Sequence, residues 1–127
     1  SELAQACPKV TFVLQHAGML EDLSDEGRAI WKREMKKLAK NDNVVSKLSA
    51  FGTFIHRNDR AHIERILHDT VDIFGAKRCL FGSNFPIEKL WTSYGELVRA
   101  FLKAANDLSA ARQKAIFHDT AKRVYRL

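Results

Sequence analysis

The stretch VVSKLSA, from Val44 to Ala50, is a predicted strand, and its position between helical patterns indicates the fold class. Its β-branched start predicts a strand, and the Asn-Asp-Asn run at 41–43 before it is typical of a turn. Because strand side chains alternate between faces, Lys47 and Ser49 are expected to share one face. Helical patterns lie on both sides of this strand, which indicates a parallel sheet with right-handed crossovers.

The same pattern occurs on either side of the central strand. KVTFVLQ (9–15) and RCLFG (78–82) predict two further strands, the first of them buried on both faces. Capping residues and apolar stripes predict helices over 24–40, 60–74, 93–105 and from 109 towards Tyr125. Residues 1–127 are therefore expected to form a single α/β domain with about three parallel strands, flanking helices and a C-terminal helix pair.

A sheet of three strands cannot close into a barrel, so its outer strands are expected to have open edges. Either further N-terminal strands or a second copy of the chain, as a homo-oligomer, would cover them. The sequence also begins abruptly at Ser1, without a basic and apolar leader, as an excised fragment or an artificial start would.

Composition and charge argue against several other classes of protein. The net charge is +6, but lysine and arginine are interleaved with aspartate and glutamate, as on the solvated face of a helix. We therefore expect no nucleic-acid partner, with a basic binding module as the alternative from a different class. No apolar run approaches the roughly 20 residues of a membrane span, so no membrane partner is expected. Cys7 and Cys79 lack zinc-motif spacing and are expected to be free thiols in the cytoplasm rather than a disulfide.

Polar residues follow each predicted strand, where ligands meet a parallel β/α fold. His16, after the first strand, suits acid/base chemistry or metal ligation, and equally suits a structural hydrogen bond. Asn84, after the third strand, could orient a substrate or a water, or could serve as a turn residue. It cannot be a general base because an amide has no useful proton affinity.

The second strand and the loop after it provide the candidates for binding substrate. Lys47 could neutralise a carboxylate or polarise a carbonyl, but pairing with an acid from a neighbouring strand is the favoured interpretation. Ser49 is expected to hydrogen-bond backbone rather than to act as a nucleophile, and Arg57 lies in the loop 51–59. The other histidines are interpreted as surface or supporting residues, and none is proposed for the site: His56, His62, His68 and His118.

Four segments together resemble the amidohydrolase-related family (amidohydrolase 2), in the metallo-dependent hydrolase superfamily. They are FVLQHAG (12–18), VVSKLSAFG (44–52), FGAKRCLFGSNFP (74–86) and FHDTAKRVYRL (117–127). The resemblance is to the branch with sugar-lactone and 2-pyrone-4,6-dicarboxylate lactonases. It implies the C-terminal portion of a TIM (β/α)8 barrel, a fold that needs about 250 residues.

The resemblance also implies roles for individual residues. His16 matches the family's active-site histidine, and Lys47 and Ser49 match a K-x-S-G strand in which Ala50 replaces the glycine. Asn84 stands where the family has an aspartate that acts as general base or binds metal. The implied activity is hydrolysis of a small-molecule lactone or related cyclic ester or amide by the full-length parent.

Two further expectations follow from the resemblance. The fragment itself is expected to be inactive and to hold no metal. For the full-length parent two alternatives stay open, either zinc as a divalent metal or no metal, since the lactonase branch includes members that need none. The alternative is a non-catalytic barrel homologue that lost its base at Asn84.

Overall fold

The three predicted strands form one parallel sheet in the computed structural model, which describes all residues from Ser1 to Leu127. Strand β1 is Phe12–Leu14, β2 is Val44–Leu48 and β3 is Cys79–Phe81. The central strand β2 pairs in parallel with both others, with Val13 opposite Val45 and Lys47 opposite Leu80. The predicted α/β fold class with three parallel strands is therefore confirmed.

The helices begin where the sequence places capping residues. Ser24 Oγ accepts the backbone N–H of Gly27, and Ser93 forms a reciprocal capping box with Glu96. A π-helical turn, Ala115–Asp119, joins the last two helices into one continuous C-terminal arm. The helices are α1 (Glu2–Ala6), α2 (Asp25–Ala39), α3 (Arg60–Phe74), α4 (Tyr94–Ala104), α5 (Ala110–Lys114) and α6 (Thr120–Tyr125).

The first strand departs from the sequence prediction. It is three residues long instead of seven and is half-buried rather than buried on both faces, because it forms an edge of the sheet. It stops at Leu14 because His16 and Ala17 adopt left-handed backbone angles that cannot continue a strand. Before it lies the unpredicted helix α1, held by the Asn43 side chain, whose amide donates to the carbonyls of Ala4, Cys7 and Val10.

The main hydrophobic core lies where helices α2, α3 and α4 pack with the sheet. Phe101 stacks on Phe51 with ring centroids 5.3 Å apart and meets Phe81 edge-on at 5.0 Å. Leu48 and Leu67 are completely buried in the same core. Each such side chain contributes about 1.5–3 kcal/mol on burial, so this core fixes the helices against the sheet.

The outer strands β1 and β3 each keep one edge that pairs with no strand of this chain. The C-terminal arm reaches the start of β3, where Thr120 Oγ1 and an Arg123 amino group donate to the carbonyl of Lys77. No helix combines the length and the apolar character that crossing a membrane requires.

Candidate active site

The backbone turns sharply at the carboxyl end of every strand. His16 has a φ of 57°, Ala50 of 60° and Asn84 of 54°, two or three residues beyond β1, β2 and β3 respectively. Left-handed backbone is costly for residues other than glycine and persists where the surroundings enforce it. The left-handed angle at Ala50 also accounts for the glycine that the family resemblance implies there. Strained turns at three neighbouring strand ends indicate that this edge of the sheet is built to place side chains.

The first two strand ends are joined by a side-chain hydrogen bond. His16 Nδ1 lies 2.8 Å from Ser49 Oγ, and Ser49 is completely buried. Trp31 anchors the same turn by donating its indole N–H to the carbonyl of Ala17 at 2.7 Å. The expectation that Ser49 would bond backbone is wrong, because the turn after β1 brings the imidazole to its hydroxyl instead. No carboxylate bonds the ring, so the pair is not a catalytic triad.

The surroundings of His16 favour the neutral imidazole. Burial lowers the pKa of His16 below its ordinary 6.5, and the positive charge of Lys47 lowers it further, while the negative charge of Glu88 partly opposes both. His16 is therefore neutral near pH 7. A neutral imidazole held through Nδ1 can accept a proton at Nε2.

Lys47 projects from β2 beside this histidine without an acid partner. No carboxylate lies within ion-pair distance of its Nζ, which instead sits 5.9 Å from the centroid of the Tyr125 ring. The side chain runs across Gly82, where an added Cβ would come within 2.5 Å of Lys47 Cε. The favoured pairing with an acid from a neighbouring strand is thus wrong, because the residue opposite Lys47 on β3 is Leu80. A lysine without an acid partner keeps its charge available for an anionic group.

Asn84 contacts a carboxylate that sequence reasoning missed. Its Nδ2 donates to Glu88 Oε1 at 3.4 Å, and Glu88 is only 1% exposed. The same carboxylate accepts the Trp91 indole N–H at 2.7 Å on Oε2 and the Thr53 hydroxyl at 3.5 Å on Oε1. A signal existed in the sequence, since Glu88 stands four residues after Asn84, but its neighbours gave no indication of burial.

Gly52 allows the loops after β2 and β3 to meet around Glu88. An added Cβ at this position would lie 2.6 Å from Trp91 Nε1 and 2.9 Å from Glu88 Oε2. It would also lie 2.9 Å from the backbone oxygen of Arg57, which cannot move aside as a side chain can. The close approach of these loops therefore depends on the absence of a side chain at 52.

Of the remaining residues, Arg57 lies away from the other site residues, whereas His62 lies close to His16. The Arg57 side chain is exposed and pairs with Asp59 at 3.4 Å, so this structure does not bring it to the other site residues. His62, set aside from the sequence as lying outside the site, lines the same narrow cleft as His16, and burial lowers its pKa. His56 stacks on Trp91 at 5.5 Å.

The metal-binding capacity of the chain is small. No three histidine, cysteine, aspartate or glutamate side chains come together as a metal site would require. The strand ends offer His16 Nε2 and the Asn84 amide oxygen, whereas a catalytic zinc needs three protein ligands. The residues of this chain do not make up a zinc site by themselves, and no step below runs through a metal.

A parallel β/α sheet with its polar side chains gathered at the carboxyl strand ends is the arrangement of α/β proteins whose sites lie at that edge, (β/α)8 barrels among them. The chain belongs to the amidohydrolase 2 family, whose model, described as amidohydrolase, matches residues 1–127.

Two curated relatives match nearly the whole chain. An L-fucono-1,5-lactonase of Burkholderia multivorans (strain ATCC 17616 / 249) is 36% identical over an alignment 126 residues long that covers 91% of this chain and 43% of the lactonase. An uncharacterized protein of Sinorhizobium fredii (strain NBRC 101917 / NGR234) is 35% identical, covering 99% of this chain and 42% of its own length. The chain thus spans under half the length of these relatives.

Solved structures agree with this assignment. A crystal structure of an amidohydrolase from Burkholderia multivorans with bound HEPES superposes with a TM-score of 0.90 at 33% identity, covering 99% of this chain and 48% of the other. A second crystal structure of an amidohydrolase from that organism, with bound zinc, has a TM-score of 0.90 at 34% identity, covering 99% and 47%. The fold is therefore that of part of an amidohydrolase TIM barrel.

Proposed function

We propose that the whole protein hydrolyses a lactone, or a related cyclic ester or amide, at the carboxyl ends of the barrel strands. The observation that carries this proposal is the 2.8 Å hydrogen bond between His16 and Ser49, placed beside Lys47 at two neighbouring strand ends. The similarity to an L-fucono-1,5-lactonase supports a sugar-lactone-like small molecule as the substrate.

The residues divide the chemistry between them. With Ser49 holding Nδ1, His16 Nε2 accepts a proton from water as the water oxygen bonds to the ring carbonyl carbon. The tetrahedral intermediate then breaks the bond to the ring oxygen, which takes the proton from His16 Nε2 as the ring opens to a hydroxy acid. Lys47 stabilises the negative charge that develops on the carbonyl oxygen, and the Asn84 amide orients the water or the substrate.

A second candidate function rests on Asn84 itself. Because an amide cannot replace the general base that the family resemblance implies, a barrel that binds its ligand without turnover also fits this position. The two candidates differ in one measurable property, which is turnover of any lactone by the wild-type protein at its natural length.

Several further properties belong to the same proposal. This chain by itself is inactive because the other barrel strands complete the substrate pocket, and those strands or a second copy of the chain cover the open edges of β1 and β3. If the whole protein uses zinc, residues outside this chain must supply at least one of the three protein ligands. Nucleic acid and membrane are not partners, and the free cysteines fit a cytoplasmic protein.

The test is a proton-release assay of the natural-length protein against a panel of five- and six-membered aldonolactones and matched linear esters. The expected result is saturable hydrolysis of at least one lactone, well above the spontaneous rate, with weaker turnover of the linear esters. Tight binding of a lactone without turnover would support the non-catalytic candidate. If no compound of the panel is bound or hydrolysed, both candidate functions are refuted.

A further inference from the structure

Glu88 is a buried carboxylate with no cation to balance it. It is 1% exposed, and no lysine, arginine or histidine lies within ion-pair distance of its oxygens. Its neighbours are instead three neutral donors, from Asn84, Trp91 and Thr53. A buried charge without a counter-charge is expensive to keep, so its presence beside a strand-end site calls for a functional reason.

The geometry around Asn84 suggests that reason. Asn84 uses its Nδ2 to donate to Glu88 Oε1 at 3.4 Å, which leaves its amide oxygen on the other side of the group. No protein donor reaches that oxygen, and the left-handed backbone at Asn84 holds the side chain directly beyond β3. The assignment of nitrogen and oxygen follows from the carboxylate, which can only accept.

We propose that Glu88 supplies the negative charge of this site in place of a carboxylate at position 84. It is a positioning residue that acts through Asn84, fixing the amide with its oxygen free for water or substrate. The inference rests on the proposed hydrolytic function and deepens it. It means that positions 84 and 88 together carry a single negative charge, located four residues further along the chain than the family resemblance implies.

A carboxylate at both positions would be incompatible with this arrangement. In Asn84→Asp, two carboxyl groups would lie about as close as the present 3.4 Å contact, and like charges at that separation cannot both ionise readily. One of them would keep its proton, and its pKa would rise well above the ordinary range. Simple restoration of the aspartate is therefore expected to impair the site.

The activity test is a charge swap in the natural-length protein on its best lactone. Asn84→Asp and Glu88→Gln are each expected to lower kcat at least about tenfold, with a smaller change in KM. The double variant Asn84→Asp/Glu88→Gln, which moves the single charge to position 84, is expected to recover to within about tenfold of wild type. If the double variant is no better than Glu88→Gln alone, Glu88 is merely a structural tie and the proposal fails.

A second readout does not depend on turnover. NMR titration of the carboxyl groups in Asn84→Asp, a variant of the same size that keeps Glu88 in place, should show one carboxyl pKa raised far above that of the exposed glutamates. In Glu88→Gln the pKa of His16 should fall, because the charge that raises it is lost. Ordinary titration of both carboxyl groups in Asn84→Asp would overturn the proposal even in a protein that hydrolyses nothing.

The matched control is Glu64→Gln, which removes an exposed carboxylate from α3 that pairs with Arg60 at 3.7 Å. This variant should leave both kcat and the His16 titration unchanged. Failure of the lactone panel alone would refute the proposed function. The carboxyl titration would still decide the role of Glu88, so the two failures are distinguishable.

Discussion

His16 Nδ1 and Ser49 Oγ lie 2.8 Å apart across two neighbouring strand ends, 33 residues apart in the sequence. The bond fixes the ring in one orientation and directs Nε2 away from the serine. Because the buried Ser49 hydroxyl hydrogen-bonds the imidazole, its main contribution to the proposed site is to orient that ring. The pair therefore holds the proposed proton acceptor in a fixed orientation.

Removing the hydroxyl from this pair should weaken activity more than stability. Ser49→Ala is expected to lower kcat of the natural-length protein about tenfold, the effect of one lost orienting hydrogen bond. Ser46→Ala is a matched control in β2, the strand that Ser49 directly follows, and Ser46 is equally buried with a hydroxyl that has no partner. It should leave kcat unchanged and stability unchanged or slightly higher, as urea unfolding would show. Equal loss of kcat in both variants would contradict an orienting role for Ser49.

Lys47→Met should raise the pKa of His16, because the lysine charge is one of the two causes that lower it. Titration of the histidine Cε1 protons by NMR measures this directly. An unchanged or lower pKa would mean that Lys47 does not act on His16. Lys89→Met serves as a control of the same kind, since Lys89 is not among the charges that shift this histidine.

Stability should depend on pH with a definite sign. Because the folded-state pKa of His16 and of His62 lies below 6.5, the unfolded chain binds protons more readily at acid pH. The free energy of unfolding should therefore fall as the pH drops below about 6.5 towards the folded-state values. Urea unfolding at pH 7.5 and 5.5 tests this, and the slope should flatten in His16→Asn. A chain that gains stability on acidification would contradict the burial of these rings.

Gly52→Ala should destabilise the protein by about 1–3 kcal/mol, since the new methyl group overlaps the Arg57 backbone as well as Trp91. Gly95→Ala provides the comparison, because its Cβ would meet only the flexible end of Arg99, at 3.3 Å, in the first turn of α4. That variant should be stabilising by about 0.5–1 kcal/mol. Thermal or urea unfolding of the two variants gives the difference, and equal effects would show that the loops do not meet at Gly52.

The two thiols should react at very different rates. Burial raises the pKa of the Cys79 thiol to about 12, whereas Cys7 is only partly buried. A disulfide-exchange reagent should therefore titrate one thiol in the native protein and two in denaturant. Rapid reaction of both thiols in the native state would indicate that β3 is not packed against α3.

Local chemistry was enough to predict most of the secondary structure. Ser24, the Ser93 and Glu96 pair and the apolar stripe of α3 act within a few residues, so the sequence pattern alone reveals them. The strand ends were also predictable, since parallel strands carry their sites at one edge. His16 and Asn84 were found in this way.

The remaining features depend on contacts between distant parts of the chain. Helix α1 owes its position to Asn43, and the burial of Glu88 to Trp91 and Thr53, which come from two different loops. Lys47 lacks an acid partner because of the register that sets Leu80 opposite it. No local pattern encodes such pairings, so sequence reasoning could not find Glu88 or correct the role of Ser49.

The most direct test of His16 as the proton acceptor is the kcat of His16→Gln in the natural-length protein, measured on its best lactone and compared with wild type. Glutamine keeps a hydrogen-bonding side chain but cannot take up a proton near pH 7. We predict a fall in kcat of about 100-fold or more, with KM much less affected. A variant with a kcat close to that of the wild type would contradict the assignment of His16 as the proton acceptor of the site.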